Sequence, residues 1–248
     1  MSDFNNGRAR TLPQTADMSV DAGLRGFMLG VYNKLALGLV VAAALAYTTG
    51  NVPAVQQLLY VQTAEGMSLT LLGMAVQFAP LVLIFGSMFF MKNPTAQGTS
   101  LLYWAVVATM GASLGWVFLI YTGASVASTF LVTAAAFGGL SLFGYTTKRD
   151  LSPIGTFLIM GVIGLIIASI VNMFWPNGTL YWIISAAGVL IFSGLIAFDT
   201  QRLKMSYYAL GGDRNAMGVA TSYGALSLFI NFVNLFLFLL RFMGGNRN

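Results

Sequence analysis

Past its first two dozen residues the chain alternates between long apolar runs and short polar breaks. Seven apolar runs fall at about 27–48, 69–91, 100–121, 125–145, 154–174, 180–200 and 222–242. Each is close to the ~20 residues that an α-helix needs to cross a hydrocarbon layer of about 30 Å. The breaks carry turn chemistry, as in Gly50-Asn51-Val52-Pro53, Lys92-Asn93-Pro94, Trp175-Pro176-Asn177-Gly178 and Gly211-Gly212-Asp213. Strands of a membrane barrel would be shorter and would alternate every second residue. The pattern therefore predicts an all-α polytopic membrane protein, a bundle of seven transmembrane helices.

Residues 1–24 read differently, as a polar tail with Asp3, Arg8, Arg10, Asp17 and Asp21 among Ser, Thr, Asn and Gln. The tail lacks the apolar stretch of a cleavable signal, so the first apolar run is expected to direct insertion. Residues 25–243 form the membrane domain and 244–248 a short C-terminal tail.

Composition agrees and narrows the chemistry. Hydrophobic residues make up 57% and charged residues 8% of the 248, against about 25% charged in soluble domains. With no cysteine and no histidine, thiolate nucleophiles, zinc-thiolate sites and imidazole bases are excluded. No phosphate loop, catalytic serine arrangement or nucleotide fingerprint occurs, so enzyme activity is not expected. The formal charge of +5 suits lysines and arginines held on the cytoplasmic side better than a nucleic-acid patch, since Lys148-Arg149 is the densest basic cluster.

The basic residues also set an orientation. Ten of the twelve Lys and Arg lie in the tail, near the start of the first helix, or after helices two, four and six, and the loops after helices one, three and five contain none. By the positive-inside rule the N-terminus is expected in the cytoplasm and the C-terminus on the outer side. Aromatic residues mark two interfaces, with Tyr47, Tyr121, Trp175, Tyr181 and Trp182 outside and Tyr103, Trp104, Tyr145, Tyr207 and Tyr208 inside. Gly26-x-x-x-Gly30, Gly111-x-x-x-Gly115 and Gly138-Gly139 read as close-packing positions within the bundle.

Polar groups inside an apolar helix cost free energy, so they are the informative positions. Asp199 ends the run Val189–Phe198, about one turn before Arg202. Two readings stand. Asp199 rests among headgroups paired with Arg202, or it is a buried titrating carboxylate facing a cytoplasmic-side cavity. In the last run Gly224, Ser227, Asn231 and Asn234 fall at i, i+3, i+7 and i+10, one face of a helix. Asn231 is placed to face Asp199, while Asn234 is expected to hydrogen-bond between helices. Gln77 and Asn172 read as packing hydrogen bonds, and Lys34 as a side chain that snorkels to the cytoplasmic interface.

These residues resemble a known family. Ala197-Phe198-Asp199-Thr200-Gln201, the segments Asn234-Leu235-Phe236 and Leu239-Leu240-Arg241, and Thr147-Lys148-Arg149-Asp150-Leu151-Ser152 are similar to motifs of the Bax inhibitor-1 family. The opening Gly23-Leu24-Arg25 through Tyr32-Asn33-Lys34-Leu35 is similar to its bacterial members. The resemblance covers nearly the whole chain past the tail. It implies a seven-helix bundle with helix seven near the centre and a pH-sensitive calcium leak. It implies further that an aspartate on helix six shares a proton with one on helix seven, and that a basic latch sits at the end of helix two. Carried onto this chain, the resemblance makes Asp199 the helix-six aspartate and a Ca²⁺ contact, and Lys92 the latch. The helix-seven aspartate is replaced by Asn231, whose amide oxygen is the remaining candidate ligand there. An Asp–Asn pair lacks the second charge, and with it the shared proton.

Two functions are carried forward. One is a passive cation leak with Asp199 and Asn231 at its constriction, Arg202, Ser227 and Asn234 in support, and Ca²⁺ as cargo rather than cofactor. The other is a non-conducting regulator that binds another membrane protein, such as a quality-control protease. A proton-coupled transporter is weakened by the lack of an inverted repeat and of a second intramembrane carboxylate. The expected location is a bacterial inner membrane, and oligomeric state cannot be read from the sequence.

Overall fold

A computed structural model describes residues 21–63 and 66–245; the polar tail up to residue 20 lies outside them. Seven helices are long and apolar enough to cross a membrane. They are α1 (Ala22–Asn51), α3 (Leu71–Phe90), α4 with α5 (Ala96–Ser113, Trp116–Ile120), α6 (Gly123–Thr146), α7 (Ser152–Phe174), α8 (Gly178–Ala209) and α9 (Arg214–Met243). A short helix α2 (Pro53–Leu59) and a hairpin of β1 (Tyr60–Thr63) and β2 (Gly66–Leu69) fill the connection from α1 to α3.

Polar caps start the helices at the breaks. Asp21 accepts from the Leu24 amide, Thr70 from Gly73, Thr95 from Gly98, Thr122 from Ser125, Asn177 from Thr179 and Leu180, and Asp213 from Ala216. Each supplies an acceptor to an amide that the first helical turn leaves unpaired. Gly211 and Gly212, with φ of 59° and 84°, make the left-handed turn between α8 and α9 that a β-carbon would disfavour.

Two helices run well past their apolar cores. α8 has 32 residues, or about 48 Å at 1.5 Å per residue, and continues nine residues beyond the expected end at 200. α9 starts eight residues before 222. Both extensions lie at the same end and are held by other helices: Tyr207 packs on Phe27 of α1, Lys204 donates to the Tyr145 carbonyl of α6, and Asn215 accepts from the Ala96 amide of α4. In the third span the helix breaks between Ser113 and Trp116 instead of running unbroken from 100 to 121.

The core gathers around α9. It packs on α1, α4, α6 and α8, and Ala225, Leu228, Phe229, Phe232 and Leu235 are all buried. Helix seven is thus central. By contrast α3 and α7 lie at the periphery, with Phe85, Phe89, Phe157 and Ile163 exposed as membrane-facing side chains are.

The small-residue motifs divide. A Cβ on Gly111 would lie 2.6 Å from the Ala42 Cα, and one on Gly115 would lie 2.9 Å from the Thr49 Cβ; both glycines let α1 cross closely over α4 and α5. Gly26, Gly138 and Gly139 meet nothing within 4 Å. They are exposed and close no helix contact, because their helices turn other faces inward. Tyr103 also departs from expectation. It is fully buried, packs edge-on against Phe229 and donates to the Lys34 carbonyl at 2.7 Å, so it is a core residue and not an interfacial anchor.

Candidate functional site

The most polar contact inside the bundle joins α8 to α9. Asp199 is 4% exposed. Its Oδ1 forms an ion pair with Arg202 Nη2 at 2.9 Å. Its Oδ2 accepts from Asn231 Nδ2 at 2.8 Å and from the Ser227 hydroxyl. Arg202 Nη2 also reaches Ser227 Oγ at 3.4 Å, and the guanidinium lies over the Phe198 ring at 5.6 Å. The cluster follows from helical spacing. Asp199 and Arg202 stand at i and i+3 on α8, Ser227 and Asn231 at i and i+4 on α9, and neighbours at those spacings share a face.

Burial differs sharply between the ionic partners. The Arg202 side chain is 49% exposed against 5% for Asp199. The carboxylate is therefore held inside while its counter-charge lies half-exposed at the surface of the bundle. A buried charge needs pairing and hydrogen bonds to offset desolvation, and this one has three donors. Of the two readings of Asp199, the geometry is that of a buried group which also pairs with Arg202.

Asn231 meets Asp199 through its nitrogen. An ionised carboxylate only accepts hydrogen bonds, so the amide must turn its NH₂ toward it. The amide oxygen offered above as a cation ligand therefore does not face Asp199 in this arrangement. Among the described residues no group of three or more acidic side chains gathers to hold a metal. Ca²⁺ takes about 6–8 oxygens; a lone carboxylate already engaged by three donors offers a passing cation one contact, not a cage.

The remaining predicted residues lie apart. Asn234 donates to the Ile230 carbonyl of its own helix at 2.9 Å, so it makes no link between helices. Lys92 is exposed in the connection from α3 to α4 and is not among the groups on the Asp199 carboxylate; Arg202 takes that place. Asn172 accepts from the Asn177 amide at 3.0 Å, closing the turn before α8. Lys34 does not snorkel freely: its ammonium donates to Ser100 Oγ and Ser222 Oγ, each at 2.8 Å, and so ties α1 to α4 and α9.

Other polar residues of α8 fix the loop from α6 to α7. Gln201, buried, accepts from the Leu151 amide and donates to the Arg149 carbonyl, each at 2.8 Å. Lys204, also buried, donates to the Tyr145 carbonyl at 3.0 Å and lies over the Tyr145 ring. Thr200 Oγ1 is 3.4 Å from Ser141 Oγ. The consecutive polar run Asp199-Thr200-Gln201 was the available signal: three adjacent polar residues face three directions, so in a buried helix each needs its own partner.

Outward from Asn231 the surroundings become hydrocarbon. Phe232 packs on Phe130 and Phe137 with centroids 5.3 and 5.6 Å apart, and Phe236 packs on Phe130. The Asp199 cluster thus gives way along α9 to packed aromatic rings.

The chain is similar over nearly its whole length to several bacterial proteins. The chain is 64% identical over 249 residues to a protein of Caulobacter vibrioides, with 100% of each chain covered. It is 39% identical over 240 residues to a protein of Rickettsia prowazekii, covering 96% of this chain and 98% of the other. It is 39% identical over 227 residues to the Escherichia coli inner membrane protein YbhL, covering 91% and 94%. The family described as inhibitor of apoptosis-promoting Bax1 matches residues 24–248, which take in every spanning helix but the first two residues of α1; the chain belongs to the Bax inhibitor-1 family.

Proposed function

We propose that this protein is a gated cation leak of a bacterial inner membrane, described in its closed state, with Ca²⁺ as a cation it passes. The observation that carries the reading is the buried Asp199 carboxylate facing α9 with a tethered cation, Arg202, at its mouth. A guanidinium seated on a buried carboxylate occupies the position a mobile cation would take, so displacing it is the entry step. The rings of Phe130, Phe232 and Phe236 close the route beyond, and opening requires α9 to move against α6.

The charge pattern supports a cytoplasmic N-terminus and an outer C-terminus, which puts Asp199 on the cytoplasmic side. The inner-membrane location follows the relative YbhL. No step in this reading is catalytic.

The aromatic closure favours a second reading, a non-conducting regulator that docks on another membrane protein. Flux into liposomes loaded with a calcium dye separates the two. Uptake above that of empty liposomes, changed by Asp199→Asn, supports the leak. Uptake equal to empty liposomes between pH 5 and pH 8 would overturn it and leave the regulator.

A further inference from the structure

Between α1 and α6, on the half of the bundle away from Asp199, a cavity of about 70 Å³ is walled by hydrocarbon. α1 and α6 both pack on α9 without forming a helix pair of their own, and the gap between them is the cavity. The small side chains Ala43 and Ala46 line it from α1, with Phe118 from α5, Phe130 from α6 and Val233 and Phe236 from α9. Ala43 is exposed on the outer face of α1, so the cavity has a lateral mouth at membrane depth. We propose that it is a binding site for one acyl chain of a bilayer lipid, entering sideways between α1 and α6.

The occupant follows from the surroundings. A dry apolar cavity offers water no hydrogen-bond partner, and one of ~150 Å³ is known to stay empty of water and take up small hydrocarbons. About half that volume suits the end of an alkyl chain. At this depth the neighbouring medium is itself alkyl chains, so little is gained by leaving water. What favours entry is dispersion contact with walls that otherwise face a void, together with the high local concentration of chains. A second helix or protein would need a matching ridge, whereas a lipid tail is flexible enough to fill an irregular slot.

The cavity shares Phe130 and Phe236 with the rings that close the proposed route, but its test does not read ion passage. The full chain is reconstituted in phosphatidylcholine–phosphatidylglycerol vesicles carrying a trace of phosphatidylcholine with a photoreactive diazirine in one acyl chain. After illumination, labelled residues are mapped by mass spectrometry. Labelling at Ala43, Phe118 and Phe130 is expected to exceed that at Phe157 and Ile163, which are exposed on α7, by several-fold. Ala46→Phe, which fills the cavity from within, and Ala43→Phe, which blocks its mouth from an exposed position, should each abolish the excess while α7 labelling stays unchanged. The Ala43→Phe variant keeps the test decisive if Ala46→Phe does not fold. Labelling no greater than on α7, or an excess that persists in Ala43→Phe, would overturn the site whether or not the protein passes cations.

Discussion

Asn231 donates its amide nitrogen to the Asp199 oxygen that also takes the Ser227 hydroxyl, 2.8 Å away on the neighbouring helix. An amide there does two things that a second carboxylate would not. It adds a donor to a buried anion, and it has no group that ionises near neutral pH. Asn231→Asp converts the pair into two acids at hydrogen-bond distance that must share a proton. Liposome flux in that variant is expected to become strongly pH-dependent, while the parent stays nearly flat between pH 5 and pH 8; equal profiles would separate this pair from gating.

Arg202→Ala removes the tethered cation and leaves the carboxylate with two neutral donors. Breaking a fully buried pair costs about 3–5 kcal/mol, and exposed pairs are worth ~0.2–1 kcal/mol. With Arg202 half-exposed, a loss of about 1–2 kcal/mol in stability lies between those limits. Cation flux should rise in the same variant, because the seat on Asp199 is vacated. Thermal unfolding in detergent and dye uptake read the two effects separately.

Gln201→Leu keeps the side-chain bulk but strands the buried Leu151 amide and the Arg149 carbonyl. An unpaired buried group costs about 1–3 kcal/mol. Hydrogen exchange at Leu151 should quicken, while amides in the middle of α9 stay protected.

Gly111→Ala places a methyl group against the Ala42 backbone, 2.6 Å from its Cα. Rigid backbone cannot yield as a flexible side chain would, so about 1–3 kcal/mol of overpacking cost is expected. Gly139→Ala, in open space, should fall within about 0.5 kcal/mol of the parent. A melting comparison of the two variants tests which glycines close the bundle.

Ahead of the membrane span, the Leu24 amide holds the Asp21 carboxyl below its ordinary value of 3.8, with the Tyr207 hydroxyl assisting at 3.3 Å. A group depressed in the folded state stabilises it above its unfolded value and loses that contribution as pH falls through the folded one. The first turn of α1 should therefore loosen only below about pH 3.8, read as faster exchange of the Leu24 amide after correction for intrinsic rates. Asp21→Asn, still a good cap, should remove that acid-dependent step.

The seven spans were legible because bilayer thickness imposes a length on every apolar run. Their ends were less so. Residues 201–209 of α8 and 214–221 of α9 are too polar to read as membrane helix, yet they stay helical because Tyr207, Lys204 and Asn215 are held by α1, α6 and α4. The pairing of Asp199 with Ser227 and Asn231 was visible in helical periodicity. Asn234 continues the same stripe but turns back on Ile230, since one turn back from Asp199 the α8 residues Leu195 and Ile196 offer only hydrocarbon. Lys34 was opaque for another reason: its serines come from helices 66 and 188 residues away. The hairpin at 60–69 carries no long apolar run, and a search tuned to membrane spans passes over it.

Because Arg202 and Asp199 belong to the same helix, their neutralisation travels with α8. Sliding α8 past α9 parts the hydrogen bonds of Ser227 and Asn231 to the carboxylate and the contact of Arg202 with Ser227; the opposite charges are not pulled apart. The bundle can therefore shear at its most polar seam without breaking an ion pair, and the ionic partners ride through that motion as one dipole.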